Sequence, residues 1–176
     1  MSSVKAPEII PNESWEPVDP FPESWKSGNF IPHGDTDGRL SLRYFRDRSD
    51  ASLKAWAWFG PGAEGAPGRI HGGGVSAILD EVLGAAAWIV GLPVVTGLLT
   101  VKYRRPLNVG AVCEIETFIT KKGAKRVHVR GTLSARGGGL SAEAEGMYFR
   151  LPDSELPDMV AQIMSERRTA QPAPSE

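Results

Sequence analysis

The stretch that follows Gly72-Gly73-Gly74 is a helical pattern with almost no polar face. Val75, Ile78, Leu79, Val82, Leu83 and Ala86 recur at i, i+3, i+4, i+7, i+8 and i+11, a single stripe. Most other positions are small: Ala77, Gly84, Ala85 and Ala87. Such a helix has to be buried nearly all round. The material available to bury it is strand. Residues 39–47 and 52–59 alternate apolar and polar before the helix, and Gly60-Pro61-Gly62 closes the second run. Four more runs rich in Val, Ile, Thr and Leu follow at 96–105, 111–121, 125–135 and 140–150. Their connections, Pro106 to Gly110, Lys122-Gly123-Ala124 and Gly137-Gly138-Gly139, are short enough to predict antiparallel neighbours and a four-strand meander. The expected architecture is α+β: a long antiparallel sheet of about six strands wrapped round one central helix, with a second helix near 154–168 at its margin.

The flanks differ in composition. Six of the fourteen prolines fall in residues 1–35, together with Trp15, Trp25 and Phe30. Prolines interrupt ladders, yet disordered linkers rarely carry such aromatics, so this reads as an irregular arm that packs on the body. Ser165 to Glu176 is polar and Pro/Ala-rich and reads as a frayed tail. The expected division is 1–35, 36–152 and 153–176.

Charge and cysteine content remove several classes. Twenty basic and 21 acidic residues balance, so no global excess points to nucleic acid. Cys113 is the only cysteine, cannot form an internal disulfide, and sits in a strand as a core residue. One cysteine and three histidines are too few for a protein zinc site, and no metal or redox cofactor is expected. No apolar run approaches the ~20 residues of a membrane span. Met1-Ser2-Ser3-Val4-Lys5 is neither an apolar signal core nor Arg-rich, so the expected location is the cytoplasm.

The candidate chemistry lies where the helix begins. Gly72 and Gly73 occupy its first turn, where N–H groups have no internal partner and the helix dipole is positive. Consecutive glycines there cost about 1 kcal/mol each against alanine, which a plain turn does not require. Asp80, beside Glu81, is a carboxylate inside an apolar helix, expensive unless it is paired or functional. Together they suit a reaction in which a carbonyl oxygen gains charge while a water is activated. Lys102, Arg104, Arg105, Lys121, Lys122, Lys125, Arg126, Arg130 and Arg136 face only Glu114 and Glu116 within residues 102–136. That excess reads either as solvated strand faces or as a basic rim for phosphates. His33 and His128 read as structural or exposed, and Trp56, Trp58 and Trp88 as core or as the lining of an apolar tunnel.

The series Gly65-Ala66-Pro67-Gly68-Arg69-Ile70-His71-Gly72-Gly73, then Asp80, then Thr96, then Val101-Lys102-Tyr103-Arg104-Arg105-Pro106 resembles the hotdog-fold acyl-coenzyme A thioesterases. Within them it is most similar to the phenylacetate-pathway type and the mitochondrial long-chain type. The resemblance covers about Gly60 to Leu151. It implies His71, Gly72, Asp80 and Thr96 as the site, with Asp80 as base or nucleophile, Thr96 holding a water and the Gly72 N–H polarising the carbonyl. It also implies an acyl-CoA substrate, with Gly73 and the basic residues Arg104, Arg105, Lys121, Lys122, Lys125 and Arg126 as contacts. Some relatives carry an asparagine shortly before the histidine; this chain does not.

His71 and Asp80 are nine residues apart, a rotation of about 900° on a helix, so they face opposite sides. A site using both needs a second subunit, and a homodimer, or a tetramer built from two, is expected. Two other functions fit the same fold: a non-catalytic acyl-CoA sensor, and a hydratase or dehydratase acting on an acyl chain.

Overall fold

The computed structural model describes residues 6–8, 10–21, 30–31 and 38–169; Trp25, His33 and residues 170–176 lie outside them. Seven strands form one antiparallel sheet: β1 (Trp15–Pro17), β2 (Leu40–Asp47), β3 (Leu53–Phe59), β4 (Val94–Tyr103), β5 (Val112–Lys122), β6 (Arg126–Ala135) and β7 (Gly139–Arg150). Helix α1 (Gly72–Trp88) packs on the sheet against β3 through β7, and α2 (Asp158–Thr169) follows the last strand. This is the expected sheet wrapped round one helix. Ile78, Leu79, Val82 and Leu83 are fully buried against Ala55, Ala57, Phe59, Ile115 and Val129 on the inner face.

Two strand assignments differ from expectation. The arm supplies β1, a seventh strand of three residues that pairs with β2 at the sheet edge and ends at Pro17, where a missing N–H is tolerated. Trp15 from that strand packs on Phe45 and Trp56 at ring separations of 5.8 and 6.1 Å, so this part of the arm covers the outer face. Phe30, by contrast, is 83% exposed.

The second difference is in the expected meander. The sheet order is β1-β2-β3-β5-β6-β7-β4, so β5 pairs with β3 and β4 pairs with β7. Of the four strands expected in the meander, β5, β6 and β7 are joined as hairpins and β4 is not. The link after β4 is not a hairpin loop because it has its own partners. Leu107 is buried and its carbonyl accepts from Ile70 N–H at 2.9 Å, while Val109 N–H donates to the Gly68 carbonyl at 3.2 Å. The link therefore crosses the ends of β6 and β7, about 14 Å for three strand spacings, which eight residues span easily. Among the described residues strand β4 has no neighbour on its other side. Val95, Leu98 and Tyr103 on it are 48, 58 and 54% exposed.

The C-terminal helix extends past the expected start of the tail. Ser165 to Thr169 are helical, and Arg168 donates to Gly91 carbonyl and pairs with Asp153. Among the described residues no helix is long and apolar enough to cross a membrane. Cys113 is buried, and burial pushes its thiol up to about 12.

Candidate active site

Helix α1 opens on His71, whose extended backbone makes it the N-cap. Its Nδ1 accepts the Gly73 N–H at 2.9 Å, so the neutral ring carries its proton on Nε2. This explains Gly73: a Cβ there would stand 2.9 Å from that Nδ1. It also means that the Gly73 N–H is already used. The Gly74 N–H donates to the His71 carbonyl. Among the described residues no acceptor meets the N–H of Gly72, so the exposed first turn holds one uncommitted donor. The Gly72 carbonyl accepts from Tyr103 Oη at 3.0 Å, and that hydroxyl also meets Ser76 Oγ at 2.5 Å. Gly72, Tyr103, Arg104, Arg105 and Pro106 line a cleft of about 250 Å³.

Two turns along α1 lies a second cleft, of about 220 Å³. Asp80 and Thr96 meet in it: Thr96 Oγ1 donates to Asp80 Oδ1 at 2.8 Å. The threonine is aimed by an irregularity in β4, where the register with β7 shifts between Thr96 and Leu98. Gly97 sits at that shift, and a Cβ on it would come within 2.5 Å of the Phe149 ring. Desolvation by burial raises the Asp80 carboxyl above its ordinary value; the Thr96 hydrogen bond opposes that rise and the Glu81 charge adds to it. The neighbouring Glu81 accepts instead from Tyr44 Oη at 3.4 Å. Glu81 lines the cleft too, and the rest of its lining is mainly apolar, with Phe21, Trp88, Val95, Tyr148 and Leu151 beside Gly84. Of the three tryptophans considered for a tunnel, only Trp88 is here; Trp56 belongs to the outer-face cluster with Trp15.

The expected site residues thus fall into two half-sites. Asp80 and Thr96 are together, Gly72 lines the other cleft, and His71 lines neither. The basic residues also fall into two groups, of which only one lines a cleft described above. Arg104 and Arg105 belong to the Gly72 cleft, although Arg104 also pairs with Glu143 at 2.6 Å. Lys121, Lys122, Lys125 and Arg126 surround the β5–β6 turn, where Arg126 is opposite Phe149 and stacks over its ring. Tyr103 is opposite Ala142. Seven positions of β7 therefore separate the two basic groups, roughly 23 Å. Tyr103, Gly97 and Phe21 were not singled out as functional from the sequence. The glycine inside a strand was the legible signal for the bulge.

Residues 67–142 match the family model of the thioesterase superfamily. They include α1, both clefts' helical residues and Thr96. This stretch, less than half of the chain, is similar to the thioesterase superfamily. A curated relative, acyl-coenzyme A thioesterase THEM4 of Xenopus laevis, is 31% identical over 125 residues, covering 69% of this chain and 56% of its own. The chain spans about half the length, or less, of the curated thioesterases it matches. Among solved structures, a hypothetical thioesterase of Streptococcus pneumoniae with one aspartate replaced by alanine superposes with a TM-score of 0.56 at 16% identity, over 64% of this chain and 90% of that one. The same bacterial protein has been solved with a threonine replaced by alanine and with coenzyme A. The PaaI protein of the Escherichia coli phenylacetic acid degradation operon superposes with a TM-score of 0.54 at 16% identity, over 57% of this chain and 72% of that one. These neighbours share the fold of the sheet and the central helix.

Proposed function

We propose that the protein hydrolyses an acyl-CoA thioester to the free acid and coenzyme A, in a site completed by a second copy of the chain. The observation that carries this reading is the Asp80–Thr96 hydrogen bond at 2.8 Å inside an apolar cleft. A carboxylate held in such a place is costly to fold unless its basicity is used. In the proposed reaction the acyl chain lies in the apolar cleft and the thioester carbonyl is polarised by the Gly72 N–H of the partner. Asp80 takes a proton from a water held by Thr96, or attacks the carbonyl itself; both routes use the same residues. The tetrahedral oxyanion develops at the helix N-terminus, where the dipole favours negative charge. Collapse expels the CoA thiolate, which takes up a proton; on the nucleophilic route water then cleaves the acyl-Asp80 anhydride to the free acid. Arg104 and Arg105 from one half-site, with Lys121, Lys122, Lys125 and Arg126 from the other, are the proposed contacts for the phosphates.

Support also comes from the relatives. The curated matches are named acyl-coenzyme A thioesterases. In the Streptococcus pneumoniae neighbour the aspartate and the threonine chosen for replacement stand sixteen positions apart, the same separation as from Asp80 to Thr96. This chemistry needs no metal or redox group, and we propose that none is used.

The test is to present a panel of acyl-CoAs, from acetyl to long-chain and aryl-acetyl, and to detect released thiol before and after dialysis against a chelator. Thiol release that the chelator does not affect is expected. Tight binding of acyl-CoA with no thiol release across the panel would instead assign the protein as a sensor.

A further inference from the structure

The thioesterase reading leaves open what ends the acyl cleft, and the arm supplies a wall there. Asp80, Gly84 and Trp88 lie one turn apart on the same face of α1, and all three line the cleft. From Asp80 to Trp88 the helix rises about 12 Å. Gly84 leaves the middle of that path open. Its absent Cβ would stand 3.7 Å from the Tyr148 ring, ordinary contact, so the fold itself does not require a glycine. At the far end stands Phe21 of the N-terminal arm. Its ring meets Trp88 edge-on at 5.9 Å and Tyr44 edge-on at 6.2 Å.

Phe21 is held from outside the cleft. The Arg167 guanidinium of α2 donates to three carbonyls: Asp19 at 3.0 Å, Trp88 at 3.2 Å, and Pro20. Two belong to the residues just before Phe21, and the third, at the end of α1, also accepts the Gly91 N–H at 3.0 Å. Pro20 has a restricted φ, and the Asp19 side chain accepts the Phe21 N–H at 3.2 Å, so little freedom is left at the ring's own backbone. One cation therefore joins the arm, the end of the central helix and the C-terminal helix at the closed end of the cleft.

Resting on the thioesterase reading, we infer that Phe21 is a specificity-determining residue that limits acyl-chain length, and that Arg167 is the positioning residue that holds it there. An apolar wall discriminates by size: each methylene gained or lost in such a pocket is worth roughly tenfold or more in kcat/KM. Shortening the wall should admit longer chains, and enlarging it should exclude them. Releasing the latch should let the wall yield without changing its size.

The experiment measures kcat and KM for a straight-chain acyl-CoA series from four to sixteen carbons with the wild type and with Phe21→Ala, Phe21→Leu, Phe21→Trp, Arg167→Met and Arg167→Lys. Phe21→Ala and Phe21→Leu are expected to move the kcat/KM optimum to longer chains, with the ratio of long to short substrates rising about tenfold. Phe21→Trp should move it to shorter ones. Arg167→Met should shift the optimum as Phe21→Ala does, mainly through lower KM for long chains, and Arg167→Lys should restore part of the wild-type profile. If Phe21→Leu and Phe21→Trp both hydrolyse the series with the wild-type profile, the length inference is overturned while the thioesterase reading stands. If the Phe21 variants shift the profile and Arg167→Met does not, the latch is overturned. No hydrolysis of any member by the wild type would remove the thioesterase reading, and this inference with it.

Discussion

Asp80 sits between Leu79, which is fully buried, and a partly open cleft, so its charge is neither solvated as on a surface nor paired as in an ion bridge. Desolvation, the largest influence, lifts its carboxyl above 3.8, and the Thr96 hydroxyl pulls it back. If Asp80 acts ionised, activity rises with pH through a midpoint above the ordinary aspartate range. Thr96→Val removes the hydrogen bond that lowers it, so the acid limb of the kcat profile should move to higher pH. An acid limb that moves down or stays fixed would contradict the geometry. The same shift has a sign for stability. The folded carboxyl holds its proton more tightly than the unfolded chain, so its contribution to stability falls as pH rises through the unfolded and then the folded pKa. At pH 7 the ionised group is a net cost. Asp80→Asn should therefore cut turnover about a hundredfold while the melting temperature stays level or rises. Glu81→Gln, which alters a side chain bonded by Tyr44 rather than one facing Thr96, should have a much smaller effect on turnover. Reversed sensitivities of the two acids would show that the wrong one was chosen.

At the scale of elements, the first turn of α1 offers a substitution that removes one atom's function and little else. Gly72 is the first helical residue after the cap, a position where proline is favoured because its missing N–H would have no helical partner. The residue before a proline must be extended, and His71 already is, at φ −65 and ψ 133. The nearest atoms to a Cβ at Gly72 would be those of the Tyr103 phenol, at 3.6 Å, which is ordinary contact. Gly72→Pro should thus fold normally and lose the carbonyl-polarising donor, with kcat down roughly a hundredfold; Gly72→Ala keeps the N–H and should keep most of the activity. Equal losses in the two, with both folded, would show that space and not the N–H matters at this position. These elements were legible to different degrees. The central helix and β2 to β7 carry apolar periodicity, which the sequence displays directly. The pairing of β4 with β7 does not appear in periodicity, because it depends on Leu107 and Val109 finding partners in the loop before α1. β1 was hidden by the surrounding prolines. The Asp80–Thr96 pair was reached through a family resemblance, since a threonine in a strand looks like any other β-branched residue. The resemblance placed His71 in the site without a role for its ring, and the cap it makes is seen only in the structure.

For the whole molecule, α1 is not buried as completely as its composition suggested. Gly72 and Gly73 are exposed, Ser76, Asp80 and Gly84 are partly open, and beside them runs the unpaired edge of β4 with Val95 and Leu98 exposed. An exposed apolar edge strand is a ready surface for another chain. A two-fold partner on that side would cover the open strip of α1, and it would set the Gly72 cleft of one copy against the Asp80–Thr96 cleft of the other. It would also unite the two basic groups that lie roughly 23 Å apart in a single copy. On the proposed mechanism one working site is built from two chains. Co-expression of Gly72→Pro and Asp80→Ala proteins, each inactive alone, tests it most directly, with acyl-CoA hydrolysis by the purified mixed dimer as the measurement. Each mixed dimer rebuilds one intact site and leaves the other doubly damaged, so about half the wild-type activity per mixed dimer is predicted. Mixed dimers that form and fold but stay as inactive as their parents would contradict it.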